Sequence, residues 1–139
     1  MTQGIFITGT DTDIGKTFVS AGLVYLLASQ AYKTGYFKPV LSGAREEGGK
    51  LIPGDTEFVT NIAGLNVDYE KLTPYIFKRP VSPHLAAQLE SKPIDVEYIK
   101  KCFNSVKKEF DYLIVEGSGG LAVPLNEEGY MVVDLIKKL

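Results

Sequence analysis

The stretch Gly9-Thr10-Asp11-Thr12-Asp13-Ile14-Gly15-Lys16-Thr17 constrains this chain more than any other part of it. It follows the apolar run Ile5-Phe6-Ile7 and precedes an uncharged segment with helical spacing. That order reads as a phosphate-binding loop. A strand delivers the chain to a tight glycine turn, backbone N–H groups line a concavity, and a helix starts with its positive end facing the same space. In such a loop Lys16 reaches the outer phosphates and the Thr17 hydroxyl serves Mg2+. One residue more than in the common motif separates Gly9 from Gly15. The carboxylates of Asp11 and Asp13 are repelled by phosphate unless they point elsewhere or meet a cation. They predict a cationic co-substrate beside the nucleotide.

Around this loop the pattern alternates between strand and helix. Ile5 to Thr8 is apolar without alternation, as in a parallel strand covered on both faces, and is expected at the centre of the sheet. From Lys16 to about Gln30 the apolar residues recur at helical spacing and predict a buried helix. Gly35-Tyr36-Phe37-Lys38 predicts a second strand stopped by Pro39, with Lys38 at its carboxyl end. Open α/β sheets bind ligands beyond those ends, so Lys38 is either a site residue or an ordinary solvated charge. The glycine-rich segment 41–54 predicts a mobile loop, a candidate lid. Asp55 opens a helix ending near Gly64, as its N-cap or as a metal ligand. Leu72 to Phe77 reads as an edge segment broken by Pro74.

Ser82-Pro83 starts another helix, whose first turn carries His84, the single histidine, read as a packing residue. Val96 to Glu109 is an amphipathic helix with Cys102 in its apolar stripe. The run Tyr112-Leu113-Ile114-Val115 then ends in Glu116 and a glycine-rich turn, Gly117-Ser118-Gly119-Gly120. An acid at the end of such a strand commonly orients Mg2+ opposite the loop threonine. Met131 to Leu139 begins a last helix.

Composition narrows the function. The 139 residues, 45% of them hydrophobic, suffice for one domain, residues 1–139, with no second domain. The net charge of −2 and the scattered basic residues offer no footprint for nucleic acid or an anionic membrane. One cysteine supports neither a disulfide framework nor a thiolate metal site and suits a reducing cytoplasm. No signal peptide is read at the start, and the longest uncharged stretch, Thr17 to Tyr32, is too short and polar to span a membrane. The expected fold is α/β: a P-loop NTPase-like, doubly wound, mostly parallel sheet with helices on both faces. Few strong strands are visible for such a sheet, and the chain reads as truncated.

With these landmarks in place the chain closely resembles the dethiobiotin synthetase family, ATP-dependent cyclo-ligases of biotin synthesis. The resemblance rests on Thr8 to Thr17, on Lys38-Pro39-Val40 followed by Ser42-Gly43, on Asp55, on Ser82-Pro83-His84, and on Val115 to Gly120. It implies a cytoplasmic homodimer that converts 7,8-diaminononanoate, carbon dioxide (or bicarbonate) and MgATP to dethiobiotin, ADP and phosphate. Carried over by position, Asp13, Ile14, Gly15, Lys16, Thr17 and Phe18 hold ATP phosphates, while Glu116, Gly117, Ser118 and Gly119 make a further nucleotide contact. Thr17, Asp55 and Glu116 serve Mg2+, Lys38 and Lys16 are catalytic, and Thr12 and Ser42 contact substrate. In the implied chemistry a carbamate oxygen attacks the γ-phosphate and the second amine closes the ring. Two other readings share parts of this pattern: another amidoligase with the same loop, and a nucleotide-dependent switch ATPase. In the switch proteins a lysine generally follows the first loop glycine, where this chain has Thr10.

Overall fold

Three parallel strands carry the molecule, and the last of them in sequence lies in the middle. The computed structural model describes residues 1–139. In it β1 (Gln3–Gly9) and β2 (Thr34–Phe37) flank β7 (Tyr112–Gly120) in the order β1-β7-β2. β1 is therefore an edge strand of this sheet, not its centre. Both shorter strands find their hydrogen-bonding partner in β7, which is nine residues long and buried from Leu113 to Gly117. Register is regular as far as Ile7, with Ile5 and Tyr36 both opposite Ile114, and shifts between Ile7 and Gly9, where β1 runs into the glycine loop.

Because strand side chains alternate, each strand feeds two cores. Tyr36 and Ile114 face α1 (Lys16–Ser29) and α2 (Gly54–Ala63), packing with Ala21, Val24 and Val59. Phe37, Leu113 and Val115 face the other way. They pack with Ala86 and Ala87 of α4 (Pro83–Leu89), Ile99 and Phe103 of α5 (Val96–Val106), and Val132 and Leu135 of α6 (Val132–Ile136). Helices thus cover both faces of a parallel sheet. The helix α1 is less buried than its composition predicts. Only Lys16, Ser20, Ala21 and Val24 are fully buried, while Phe18 is 75% exposed and Tyr25 and Leu26 face solvent. Its small residues bring the backbone onto the sheet along one narrow stripe.

The segment read as a mobile loop is structured. β3 (Val40–Ser42) pairs in parallel with β6 (Tyr75–Phe77), so the predicted edge piece is an edge strand in pairing, with β3 its one neighbour, although its three residues are buried. β4 (Arg45–Glu47) and β5 (Lys50–Ile52) form an antiparallel hairpin. Its turn is Gly48-Gly49, both with positive φ (56° and 78°), which matches the right-handed twist of the flanking strands. A short helix, α3 (Tyr69–Leu72), precedes β6, and a single 3-10 turn, Lys107–Glu109, ends α5. The predicted start of α5 is capped by the Asp95 carboxylate, which accepts from the Glu97 N–H at 2.8 Å. The expected N-cap role of Asp55 is not seen. Pro53 is the N-cap of α2, and Asp55 lies inside the first turn with its side chain directed at Lys38.

Candidate active site

Three chain segments meet at the carboxyl ends of β1, β2 and β7. The glycine loop leaves β1 and turns into α1 through Gly15, whose left-handed conformation (φ 100°) caps the helix. Asp13, at φ 56°, is one of three non-glycine residues with positive φ, a strained geometry that concentrates at ligand loops. The buried Lys16 side chain folds back over the loop, and its ammonium donates to the Asp11 carbonyl.

β2 ends at Phe37, and the Lys38 N–H already donates to the Leu72 carbonyl at 2.9 Å, so the chain leaves the main sheet there for β3. Lys38 nonetheless keeps the parity of Tyr36, so its side chain rises on the α1 face beside Glu116. The two meet at 2.8 Å, and Lys38 Nζ lies equally 2.8 Å from Asp55 Oδ2 on α2. Both Lys38 and Glu116 are almost wholly buried, at 4% and 1% exposure, whereas the Asp55 carboxylate is partly open.

Glu116 is the hub. Its Oε1 accepts from the Thr17 hydroxyl and from Lys38, each at 2.8 Å, and its Oε2 accepts from the Tyr36 hydroxyl at 2.8 Å. Burying a carboxylate is costly unless its lone pairs are satisfied, and three donors, one of them charged, do so here. Burial, reinforced by the Glu116 charge beside it, pushes the Tyr36 phenol well above its ordinary value and keeps it a proton donor. Thr17, Asp55 and Glu116 together offer hard oxygen donors around a position that already holds a cation, the Lys38 ammonium. That set fits Mg2+, which takes one or two carboxylates and completes its shell with water and phosphate oxygens.

These groups open onto a cavity of about 780 Å3. Of the residues expected in the site, Thr12, Asp13, Gly15, Lys16, Thr17, Lys38, Ser42, Asp55, Glu116, Ser118 and Gly119 line it. Ile14, Phe18 and Gly117 do not. The Ile14 side chain folds over Gly9, Phe18 points to solvent, and Gly117 packs against Phe6 and Val132. Asp11 is also outside the wall, where its carboxylate accepts from the Thr12 N–H at 2.7 Å, so Asp13 is the loop acid that faces the cavity. Ser42 Oγ is buried without a hydrogen-bond partner in this wall. Ser118 donates to the Val40 carbonyl and ties β7 to β3.

The structure adds residues to which the motif reading gave no place in the site. Pro80 to Pro83 form one wall, and Tyr36 stands beneath Glu116. The second could have been found from a strand-pairing argument, since Tyr36 shares its face with Lys38. His84 lies outside this cavity, its Nδ1 3.2 Å from Ser82 Oγ. Cys102 lies half-buried against the α5 core.

A family model described as an AAA domain matches residues 3–139. The chain belongs to that family. It is also similar throughout to curated proteins named ATP-dependent dethiobiotin synthetase BioD. It is 51% identical to the one from Clostridium acetobutylicum, covering 99% of this chain and 58% of that protein. Identity is 50% with the Clostridium novyi protein, over 100% of this chain and 59% of that one. With the Caldicellulosiruptor bescii protein it is 51%, over 99% and 58%. The chain thus spans less than two thirds of the length of these relatives. No helix is long and apolar enough to cross a membrane.

Proposed function

We propose that this chain is the nucleotide-binding portion of an ATP-dependent dethiobiotin synthetase, acting on 7,8-diaminononanoate and carbon dioxide to give dethiobiotin, ADP and phosphate. One observation carries the reading: in a chain half identical to such enzymes, Thr17 and Lys38 converge on Glu116 at the mouth of the glycine loop, and Lys38 also reaches Asp55.

Lys16 and the loop N–H groups hold the ATP phosphates. Thr17, Asp55 and Glu116 would hold Mg2+, which when bound would neutralise phosphate charge. One substrate amine adds to carbon dioxide and loses a proton to give a carbamate. A carbamate oxygen then attacks the γ-phosphorus, and ADP leaves. The second amine attacks the carbamoyl carbon, releases phosphate and closes the ring. Negative charge gathers on carbamate and phosphoryl oxygens together, and Lys16 and Lys38, both in the cavity wall, turn to it and stabilise it. Asp13 faces the space where a protonated amine is attracted, and the unpartnered Ser42 and Thr12 hydroxyls supply substrate contacts. The same reading makes the working protein a cytoplasmic homodimer.

Phosphate release from MgATP, measured with and without diaminononanoate and bicarbonate and paired with mass detection of product, tests the proposal. Release that needs both additions and yields dethiobiotin is the expected result. Release indifferent to diamine, or stimulated instead by protein or DNA, sinks it in favour of a switch ATPase.

A further inference from the structure

We infer that Tyr36 is a positioning residue for the metal-binding carboxylate: its hydroxyl holds Glu116 Oε2 from behind so that Oε1 alone is presented to the cavity. The inference rests on the proposed reading of Glu116 as a Mg2+ ligand.

The three donors to Glu116 are not equivalent. Thr17 and Lys38 both line the cavity, so both can turn to ligands there. Tyr36 is 0% exposed, forms no part of the cavity wall, and packs with Ala21, Val24, Val59 and Ile114. Its hydroxyl reaches Glu116 Oε2 at 2.8 Å and serves nothing else. Strand geometry makes this pairing stiff. Tyr36 lies opposite Ile114 on the neighbouring strand, and Glu116 follows Ile114 by one two-residue period on the same face. The ring is clamped between sheet and helices, so the direction of the hydroxyl is set by the core and not by the site. A carboxylate free to rotate could offer either oxygen or both to a cation. With Oε2 engaged, only Oε1 meets Thr17 and Lys38 on the cavity side. Partners behind a metal ligand fix its orientation in this way, and their removal typically weakens metal binding about 10- to 100-fold.

The test is Mn2+ uptake, followed by electron paramagnetic resonance, in the full chain with a non-hydrolysable ATP analogue. Tyr36→Phe keeps the ring and deletes only the hydroxyl. Its Mn2+ affinity should fall by about tenfold or more, while analogue binding without metal stays at the wild-type level. Val24→Ala provides the contrast, because it loosens the same core without touching Glu116. It should lower the melting temperature and leave Mn2+ affinity unchanged. Affinity of Tyr36→Phe within about twofold of wild type, or an equal loss in Val24→Ala, would overturn the inference. Failure of the wild-type chain to take up Mn2+ would remove the metal reading and this inference with it. A clear Tyr36 effect without any diamine-dependent turnover would leave the positioning role standing and defeat only the substrate assignment.

Discussion

Two clusters of opposite charges stand a few residues apart in this molecule and behave differently. In the first, Lys38, Asp55 and Glu116 meet in the cavity wall, with Lys38 and Glu116 nearly excluded from water. In the second, the β4–β5 hairpin is tied down by Arg45 to Glu47 and Glu57, and by Glu46 to Lys78, all at the surface. Both pair basic side chains with carboxylates, but burial separates them. A buried pair must recover a large desolvation cost through near-complete hydrogen bonding, so it survives only where the geometry is dictated by the fold. An exposed pair costs little and contributes little. The buried cluster is therefore a poor place to look for stability and a good place to look for chemistry.

The contrast breaks most severely at Lys38. Lys38→Ala should lower diamine-dependent phosphate release by about 100- to 1000-fold in kcat, the scale for losing one preset electrostatic group. Steady-state phosphate assays, with nucleotide binding followed separately, check it. A small loss would place Lys38 outside the chemistry.

Stability responds next. Glu116→Ala strands the Tyr36 hydroxyl and leaves Lys38 with Asp55 alone, and should cost about 3 kcal/mol in urea unfolding, as expected when one member of a buried pair is removed. The opposite treatment, Arg45→Ala on the hairpin, should leave the urea midpoint within error. Equal effects at the two places would erase the distinction.

A smaller effect belongs to the hairpin turn. Alanine at Gly49 must adopt φ near 78°, so Gly49→Ala should cost about 1 kcal/mol, seen as faster proteolytic nicking between β4 and β5. Proteolysis unchanged from wild type would mean that the hairpin tolerates another turn.

The subtlest test is a titration. The Lys78 ammonium hydrogen-bonds Glu46 and holds its carboxyl below the ordinary 4.5, while Glu46 lifts Lys78 above 10.5. The lowered acid contributes stability above pH 4.5 and loses it as pH falls through its folded value. The raised base contributes below 10.5 and loses it as pH rises through its own. The tie is thus fully present between those limits. Carbon-detected NMR should show the Glu46 midpoint below 4.5, returning to it in Lys78→Met. An unshifted wild-type midpoint would show that the tie does not form in solution.

Local chemistry made much of the candidate site legible. The glycine loop between an apolar run and a helical pattern places Lys16 and Thr17, a strand stopped by Pro39 places Lys38, and an apolar run ending in an acid places Glu116. Each depends on residues close together in the chain. Less legible were the elements whose partners lie far away. Asp55 looks like a helix cap until Lys38 arrives from the end of β2, and nothing local in Leu72 to Phe77 shows that β3 pairs with its second half and that this half is buried. The Gly48-Gly49 turn did carry a hairpin signal, masked by the charge and glycine content around it.

The amino-acid sequence by itself determined the alternation of strands and helices, the phosphate-loop geometry and the residue types that end each strand, because these follow from nearest-neighbour sterics and periodicity. Only the tertiary structure decided that β7 is central, that α1 leaves Phe18 in solvent, and that Tyr36 stands beneath Glu116. Those outcomes depend on register between strands some eighty residues apart, where Tyr36 and Glu116 are 80 positions removed. A one-residue slip of β2 against β7 would put the two side chains on opposite faces. Packing of the two cores selects that register, and short-range pattern carries no record of it.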